Sequence, residues 1–231
     1  MGDGFDNTRA LFHNRGVSRG LFITFEGSEG CGKSTQVKRL AARFERENIP
    51  FLLTREPGGT PIGEKIRDLL QFAPESADMR AETELLLFEA SRSQLVREVI
   101  APALASGRNV IADRFFDSTT IYQGAARRLD PDVVARLNHF AVGDCVPDLT
   151  FVLDCDLETA RARMLRRVRP VAAPDRMEQE PMEFYARVSA AYRELVASES
   201  KRLQLVDGAR DPDAIEAEIW QLLQRRFPQL A

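Results

Sequence analysis

Residues 27 to 34 read Gly-Ser-Glu-Gly-Cys-Gly-Lys-Ser, and they follow the apolar run Leu21–Phe25. The eight residues fit the pattern G-x-x-x-x-G-K-S, in which glycines let the backbone curl so that its N–H groups surround an anion. The run before them has the composition of a buried strand, and residues 35–44 have apolar positions at helical spacing. A chance glycine-rich turn would lack these neighbours, so the order strand, turn, helix predicts a phosphate-binding loop.

The residue types of this loop suit a nucleoside triphosphate. The helix that begins near Lys33 directs its positive N-terminal end at the loop. Lys33 is long enough to reach the β- and γ-phosphates, and the Ser34 hydroxyl is placed to bind Mg²⁺. We therefore expect a run of nine residues to bind ATP: Gly27, Ser28, Glu29, Gly30, Cys31, Gly32, Lys33, Ser34 and Thr35.

The composition is typical of one α/β domain. The chain has 231 residues, of which 44% are hydrophobic and 29% are charged, and this is sufficient for a single large core. Its formal net charge of −3 disfavours a general nucleic-acid binder, which would more often be basic. Three cysteines without a C-x-x-C pattern indicate a reducing compartment, and no apolar run reaches membrane-spanning length. We expect a cytoplasmic protein with neither a nucleic-acid nor a membrane partner.

Strand-like and helix-like patterns alternate along the chain. The strand-like runs are Leu21–Phe25, Phe51–Thr54, Val110–Ala112, Leu149–Leu153 and Leu203–Val206. Helical patterns cover about 33–48, 61–72, 79–105, 132–142, 156–168, 182–200 and 212–227. This alternation predicts an α/β fold with a five-stranded parallel sheet and helices on both faces.

Two stretches of the sequence differ in composition from the rest of the predicted domain. Residues 1–19 are polar and lack the apolar segment of a secretory signal, so we expect a disordered extension followed by one domain over 20–231. An arginine- and proline-rich stretch lies within about 161–180. We expect it to form a mobile lid between two helices.

Polar residues follow the predicted strands, and in a parallel sheet ligands bind beyond the carboxyl ends of the strands. Asp113 is suited to hold Mg²⁺ through water, and Arg114 offers a planar fork that matches a phosphate. A surface ion pair is the alternative for these two residues. Arg55 precedes the turn Pro57-Gly58-Gly59, whose glycines permit close approach of a ligand, although an ordinary tight turn explains them equally well.

Phe88 and Arg92 lie four residues apart on a predicted helix and therefore share one face. A flat ring beside a guanidinium suits a nucleobase. From the residues alone, a core position for Phe88 and a surface position for Arg92 is the commoner arrangement. Tyr122 and Gln123 are placed to line the same pocket, but by themselves they are weak evidence.

Six segments together resemble bacterial thymidylate kinase. They occur in the family's order within a likeness that covers about residues 20–228: Gly27–Thr35, Thr54–Thr60, Asp113–Phe115, Tyr122–Gly124, Pro147–Thr150 and Asp175–Glu180. The resemblance implies a three-layer P-loop kinase fold and phosphoryl transfer from ATP to dTMP, which gives dTDP for dTTP synthesis. It also implies Mg²⁺, a cis Glu56–Pro57 bond, and a homodimer packed through helices that include residues 79–105.

The resemblance further implies a role for each residue of the site. Phe88 would stack on thymine and Arg92 would contact its O4, while Tyr122 would crowd the 2′ position of the sugar. The implied dTMP-binding residues are Arg55, Pro57, Phe88, Arg92, Arg114, Thr119, Tyr122 and Gln123. The implied metal ligands are Ser34, Asp113 and Glu178, and the implied catalytic residues are Lys33, Arg114, Arg167 and Glu29.

The sequence of the phosphate-binding loop is the reason for expecting a catalytic arginine in the lid. Gly30, rather than an arginine, follows Glu29, and in the family this goes with a catalytic arginine supplied by the lid. Arg167 is the first choice, followed by Arg163, Arg166 and Arg169.

Other functions remain open from the sequence. Another nucleoside monophosphate kinase of the same fold would carry much the same motifs. A GTP-hydrolysing switch protein would be expected to contain an N-K-x-D guanine-binding motif, and the sequence contains none. A non-catalytic nucleotide-binding scaffold would not need Lys33 and the arginine set.

Overall fold

A computed structural model describes residues 18–166 and 176–230, and a single parallel sheet forms its centre. The strands pair in the order β2-β3-β1-β4-β5, and every pairing is parallel. The predicted α/β fold with a five-stranded parallel sheet is therefore confirmed. The strands are β1 (Phe22–Glu26), β2 (Phe51–Arg55), β3 (Asn109–Asp113), β4 (Leu149–Asp154) and β5 (Leu203–Asp207).

Helices connect successive strands. The described helices are α1 (Lys33–Arg46), α2 (Pro61–Gln71), α3 (Ala81–Leu95), α4 (Ala101–Ala105), α5 (Phe116–Thr119), α6 (Pro131–Val142), α7 (Leu157–Arg166), α8 (Met182–Ser198) and α9 (Pro212–Arg226). Two π-helical segments continue helices, with Val96–Ile100 joining α3 to α4 and Thr120–Ala126 following α5. Short 3-10 segments cover Pro74–Asp78, Arg176–Gln179 and Pro228–Leu230.

Capping side chains explain where several helices begin. The Thr60 hydroxyl accepts a hydrogen bond from the Gly63 N–H at the start of α2. Asp130 and Asp211 do the same for α6 and α9, and each of the three caps is followed by proline at the first helical position. Proline is tolerated there because its missing N–H would have no partner inside the helix.

The three central strands of the sheet are buried on both faces, as their near-continuous apolar sequences predict. Ile23 and Phe25 on β1 pack against Phe44 of α1 and Trp220 of α9 in one apolar cluster. Phe22, whose side chain points to the opposite face, belongs to a second cluster that contains residues of α4 and β3. This two-sided core fixes the central strands, whose carboxyl ends carry the site.

The strand order places two predicted site segments next to each other. In the parallel register, Phe25 of β1 lies opposite Asp113 of β3, and the Arg114 N–H donates to the Phe25 carbonyl across 2.9 Å. The loop after β1 and the Asp-Arg turn after β3 therefore leave the sheet side by side. Among the described residues, no helix has the length and apolar character needed to cross a bilayer.

Part of the predicted extension and part of the predicted lid lie outside the described residues. Residues 1–17 and 167–175 are not described, so disorder before the domain and mobility of the lid stay predictions. The first described residues contact the domain. Arg19 donates a hydrogen bond to Asp148 across 2.8 Å, and the Gly20 N–H donates to the Leu104 carbonyl.

Candidate active site

The loop after β1 has the conformation that its glycines predict. Gly27, Gly30 and Gly32 have φ values of +130°, +76° and +101°. A Cβ at Gly27 would lie 2.1 Å from the Leu153 carbonyl oxygen, and one at Gly30 would lie 2.4 Å from that of Ala160. Larger residues therefore do not fit at Gly27 or Gly30, because both the backbone conformation and the close approach of neighbouring backbone exclude them.

The Lys33 side chain folds back over this loop. Its Nζ donates hydrogen bonds to the carbonyl oxygens of Gly27 (3.0 Å) and Ser28 (2.7 Å). The residue is buried although it carries a charge. A cation and the N-terminal end of α1 thus lie together at the loop, and both favour an anion there.

Ser34, in the first turn of α1, contacts Asp113 at the end of β3. The Ser34 hydroxyl donates to Oδ2 of Asp113 across 2.8 Å. Hydroxyl and carboxylate oxygens suit Mg²⁺, which usually keeps several waters and takes only one or two carboxylates together with substrate phosphates. The described residues contain no group of three or more His, Cys, Asp or Glu side chains able to hold a metal by themselves. The donor set therefore fits a metal held jointly with a nucleotide.

Arg114 lies at the centre of the site in a left-handed backbone conformation, with φ of 72°. One guanidinium nitrogen donates to Ser118 Oγ (3.0 Å), and the other donates to the Glu29 carboxylate and to the Tyr122 hydroxyl (3.2 Å). Burial opposes its charge, but Tyr122 and Glu29 keep the pKa of Arg114 well above its ordinary value. Arg114 is a permanent cation beside the phosphate-binding loop.

A buried carboxylate that the sequence analysis missed holds the Arg114 turn in place. Glu26, the last residue of β1, accepts hydrogen bonds from the Phe115 N–H (2.8 Å), Ser118 Oγ (2.6 Å) and the Tyr192 hydroxyl (2.8 Å). Its pKa is raised, mainly by burial and then by the nearby Asp117. Glu26 could have been suspected from its place at the end of a central strand.

One cavity of about 260 Å³ brings most of the predicted site residues together. Residues of the phosphate-binding loop line it together with the Phe88 ring and the Gln123 amide. The predicted residues that line it are Glu29, Gly30, Gly32, Lys33, Ser34, Arg55, Pro57, Phe88, Asp113, Arg114, Thr119, Tyr122 and Gln123. Two predicted subsites, one for a triphosphate and one for a base, thus open into a single space.

Comparison with known proteins agrees with this geometry. The family model described as thymidylate kinase matches residues 25–219. The chain is 48% identical over 202 residues to a thymidylate kinase of Halothermothrix orenii, covering 87% of this chain and 95% of that one. It is 45% identical over 212 residues to one of Geobacter sulfurreducens, covering 91% and 99%. A crystal structure of thymidylate kinase from Ehrlichia chaffeensis superposes with a TM-score of 0.70 at 32% identity, covering 89% and 99%.

This chain belongs to the thymidylate kinase family. The solved relative confirms the α/β P-loop kinase fold. The comparisons give no support to the switch protein or to a different monophosphate kinase, since these relatives all carry the thymidylate kinase name.

Not every residue of the predicted thymidylate kinase site lines the cavity. Gly27, Ser28, Cys31 and Thr35 belong to the loop or to the first turn of α1, but they are not among the residues that line the cavity. Arg167 and the side chain of Glu178 lie outside the described residues. Their roles stay predictions.

Arg92 occupies a position that the residues alone did not predict. It is 1% exposed, so the surface position considered above is wrong. Its guanidinium pairs with Glu56 (2.7 Å) and Glu89 (2.5 Å), and it donates to Thr119 Oγ1 (3.0 Å). Burial raises the pKa of Glu56 to about 7, against the opposing effect of Arg92. Arg92 lies behind Thr119 and is not among the residues that line the cavity.

Four further residues that the sequence did not identify line the same cavity: Glu56, Arg67, Gln71 and Ser118. Arg67 donates to the Pro57 carbonyl across 3.0 Å, and the Gln71 amide oxygen is buried without a hydrogen-bond partner among the described residues. The two lie four residues apart on α2, the helix that follows the Pro-Gly-Gly turn, and this spacing could have identified them. The Glu56–Pro57 bond is cis, as the family resemblance implies.

Proposed function

We propose that this member of the thymidylate kinase family transfers the γ-phosphoryl group of ATP to the 5′-phosphate of dTMP through the residues of this one cavity. The products are dTDP and ADP, and dTDP is the precursor of dTTP. One observation carries the residue assignment. Arg114 lies between the phosphate-binding loop and the pocket that contains Phe88 and Gln123, where the two substrates would meet tail to tail.

The ATP phosphates occupy the loop between Gly27 and Thr35. The backbone N–H groups of the loop and the start of α1 bind the phosphate oxygens, and the Lys33 ammonium binds the β- and γ-phosphates. Ser34 and Asp113 would hold Mg²⁺, with Glu178 as a further proposed ligand on the acceptor side. Bound there, Mg²⁺ supplies charge neutralisation of the phosphates.

The acceptor phosphate is bound by Arg114. A planar guanidinium binds two phosphate oxygens at once, and Ser118 and Tyr122 fix the plane of the Arg114 fork. The incoming phosphate competes with Glu29 for that fork, which releases the Glu29 carboxylate toward the sugar and the metal.

The reaction needs little chemistry from the protein beyond position and charge. The attacking oxygen of dTMP is already anionic, so no general base is required. Lys33 and Arg114 neutralise charge that develops on the transferring group, and alignment of the two nucleotides lowers the entropic part of the barrier.

We assign the catalytic lid arginine to Arg167. Its nearest competitor on the lid helix, Arg163, has structural partners, because its guanidinium donates to the carbonyl oxygens of Gly208 (2.6 Å) and Ala209 (3.3 Å). These contacts anchor Arg163 to the segment after β5. They support a lid residue beyond α7 for the catalytic role.

The base and sugar of dTMP occupy the other side of the cavity. Phe88 stacks on thymine, Thr119 and Gln123 contact its polar edge, and Tyr122 crowds the 2′ position. Arg92 does not line the cavity and supports the pocket from behind through Thr119, so we propose an indirect role in place of the contact with O4 that the resemblance implies. Arg55 and Pro57 close the side of the pocket next to β2.

A homodimer is proposed from the exposed apolar side chains of two neighbouring helices, α3 and α6. Val133 and Phe140 lie seven residues apart on one face of α6, and Phe140 is 76% exposed. Exposed Leu86 lies on α3, which packs against both α6 and α2.

Substitution of Phe140 by Asp should shift the sedimentation coefficient from that of a dimer to that of a monomer. Leu165→Asp, a similar change on exposed α7, should not, and a monomeric wild type would refute the proposal.

A coupled ADP-release assay across the common nucleoside monophosphates tests the function itself. We expect dTMP to give the highest kcat/KM with ATP, and Lys33→Ala to abolish turnover of every acceptor. Preference for another monophosphate would contradict the acceptor assignment. We also propose a cytoplasmic location, which fits the three unpaired cysteines.

A further inference from the structure

A buried carboxylate lies directly behind the base pocket. Glu84 of α3 is 1% exposed, and its Oε1 accepts a hydrogen bond from Gln123 Nε2 across 2.7 Å. Arg127 donates to both of its oxygens at 3.3 and 3.2 Å, and Arg176 donates to Oε2. Both carboxylate oxygens therefore accept hydrogen bonds. Of these three partners, only Gln123 also lines the cavity.

This environment keeps Glu84 ionised. Burial alone would raise its pKa, but Arg127, the Gln123 hydrogen bond and Arg176 together bring the pKa below its ordinary value. An ionised carboxylate only accepts hydrogen bonds. The Gln123 amide must therefore turn its NH₂ group toward Glu84, which leaves its oxygen as the polar group that faces the cavity.

We propose that Glu84 is a specificity-determining positioning residue, which holds Gln123 so that the base pocket presents a hydrogen-bond acceptor. The proposal rests on the proposed function in placing the base of the acceptor nucleotide between Phe88 and Gln123. Thymine carries a donor, N3–H, on its polar edge, whereas the same ring atom of cytosine is an acceptor. A fixed acceptor binds the first base and repels the second.

Thr119 supports this interpretation, because its hydroxyl is held as a hydrogen-bond donor, whereas Gln123 is held as an acceptor. Its Oγ1 accepts from the buried Arg92 guanidinium across 3.0 Å, so the hydroxyl proton is directed elsewhere. Thr119 and Gln123 both line the cavity and together offer one donor beside one acceptor. This pair matches a carbonyl beside N3–H. A mismatched base leaves buried polar groups unpaired, and such losses discriminate strongly between substrates.

The test is the ratio of kcat/KM for dTMP to kcat/KM for dCMP in the full-length enzyme. Glu84→Gln keeps the shape but adds a donor, so the Gln123 amide is free to reverse. We expect the ratio to fall roughly tenfold or more, about the value of one hydrogen bond. A residue that only maintained the fold would lower both activities and leave the ratio unchanged. An unchanged ratio therefore overturns the proposal.

A double-mutant cycle separates this proposal from the proposed function. In a Gln123→Met background, Glu84→Gln should have no further effect on the ratio, because Glu84 acts through Gln123. An equal effect in both backgrounds overturns the positioning role alone. If Gln123→Met itself leaves the ratio at the wild-type value, the base-pocket assignment of the proposed function fails instead.

Two more variants keep the experiment decisive. Arg127→Gln removes one cation from Glu84 but leaves the Gln123 hydrogen bond, so the ratio should stay at the wild-type value; a fall matching that of Glu84→Gln would contradict the proposal. If Glu84→Gln does not fold, Glu84→Asp keeps the charge for Arg127 and Arg176 and withdraws it from Gln123. A wild-type ratio in that variant also overturns the proposal.

Discussion

The Ser34 hydroxyl and the Asp113 carboxylate are joined by a 2.8 Å hydrogen bond, which connects the end of the phosphate-binding loop to the end of β3. The two residues are 79 positions apart in the chain, and only the adjacency of β1 and β3 in the sheet brings them together. This contact is the basis of the proposed Mg²⁺ site.

Asp113→Asn should raise the Mg²⁺ concentration required for half-maximal turnover by about tenfold or more, since a neutral amide holds metal-bound water less well than a carboxylate. A titration of turnover against Mg²⁺ at saturating ATP and dTMP measures this. Asp154→Asn is the matched control, because Asp154 also ends a strand of the same sheet, β4, but pairs with Arg193. Equal Mg²⁺ requirements in the wild type and Asp113→Asn would argue against the site.

Arg114→Ala should lower kcat at least about a hundredfold, because the variant loses a preorganised cation at the transferring group. Steady-state kinetics with both substrates saturating give the value. The substitution also places alanine at a positive φ, so Arg128→Ala, at an exposed residue with φ of 63°, controls for backbone strain. Near-normal kcat for Arg114→Ala, or an equal loss in Arg128→Ala, would remove Arg114 from the mechanism.

Phe88→Ala should raise KM for dTMP by about tenfold while KM for ATP changes little, because stacking of a base on an aromatic ring contributes roughly 1–3 kcal/mol. Phe72→Ala makes the same change at a half-exposed ring outside the cavity and should leave both constants near wild type. A parallel rise in the two KM values of Phe88→Ala would indicate a general defect rather than a lost base contact.

The buried pair of Glu56 and Arg92 predicts a pH dependence of stability. The folded-state pKa of Glu56, about 7, lies above its ordinary value of 4.5, so the folded protein retains a proton that the unfolded chain releases. The stabilisation of the folded state by this retained proton is complete below pH 4.5 and is lost as pH rises through 7. The free energy of unfolding should therefore fall across this window, by up to about 3 kcal/mol.

Glu56→Gln removes this titration. Denaturant unfolding of wild type and variant at a series of pH values between 5 and 8 measures the difference. We expect the wild-type curve to decline relative to that of the variant as pH rises. Parallel curves would show that Glu56 has an ordinary pKa in the folded protein.

Local patterns predicted most of the regular structure. Each predicted strand agrees with the structure within one residue at either end, because buried parallel strands read as continuous apolar runs. The single helix expected over 79–105 is instead divided by the π-helical segment Val96–Ile100. Pro102 follows this segment, and a wider turn accommodates a residue that cannot donate its N–H and crowds the preceding turn.

The helical stretch from Phe116 to Ala126 was not predicted. Thr119, Thr120 and Ile121 are β-branched and favour strands over helices, so local propensity argues against the observed structure. Packing overrides propensity here, because Ile121 and Tyr122 are buried in a cluster with residues of α8.

Long-range polar contacts are the part of the site that the sequence could not supply. Arg92 is buried because Glu56 and Glu89 pair with it, and Glu84 is buried because Gln123 and two arginines contact it. Glu89 lies three residues from Arg92 on α3, but the other partners come from different elements, and their contacts depend on the assembled fold. Motif spacing identified most of the residues that line the cavity, whereas the residues that hold them in place required the structure.

A crystal structure of the protein with dTMP and a non-hydrolysable ATP analogue would show whether one cavity aligns the two nucleotides on either side of Arg114. We expect the phosphates of the analogue in the loop between Gly27 and Thr35, the dTMP phosphate within hydrogen-bonding distance of Arg114, and the thymine ring against Phe88. A monophosphate bound away from Arg114 and Phe88 would contradict this arrangement.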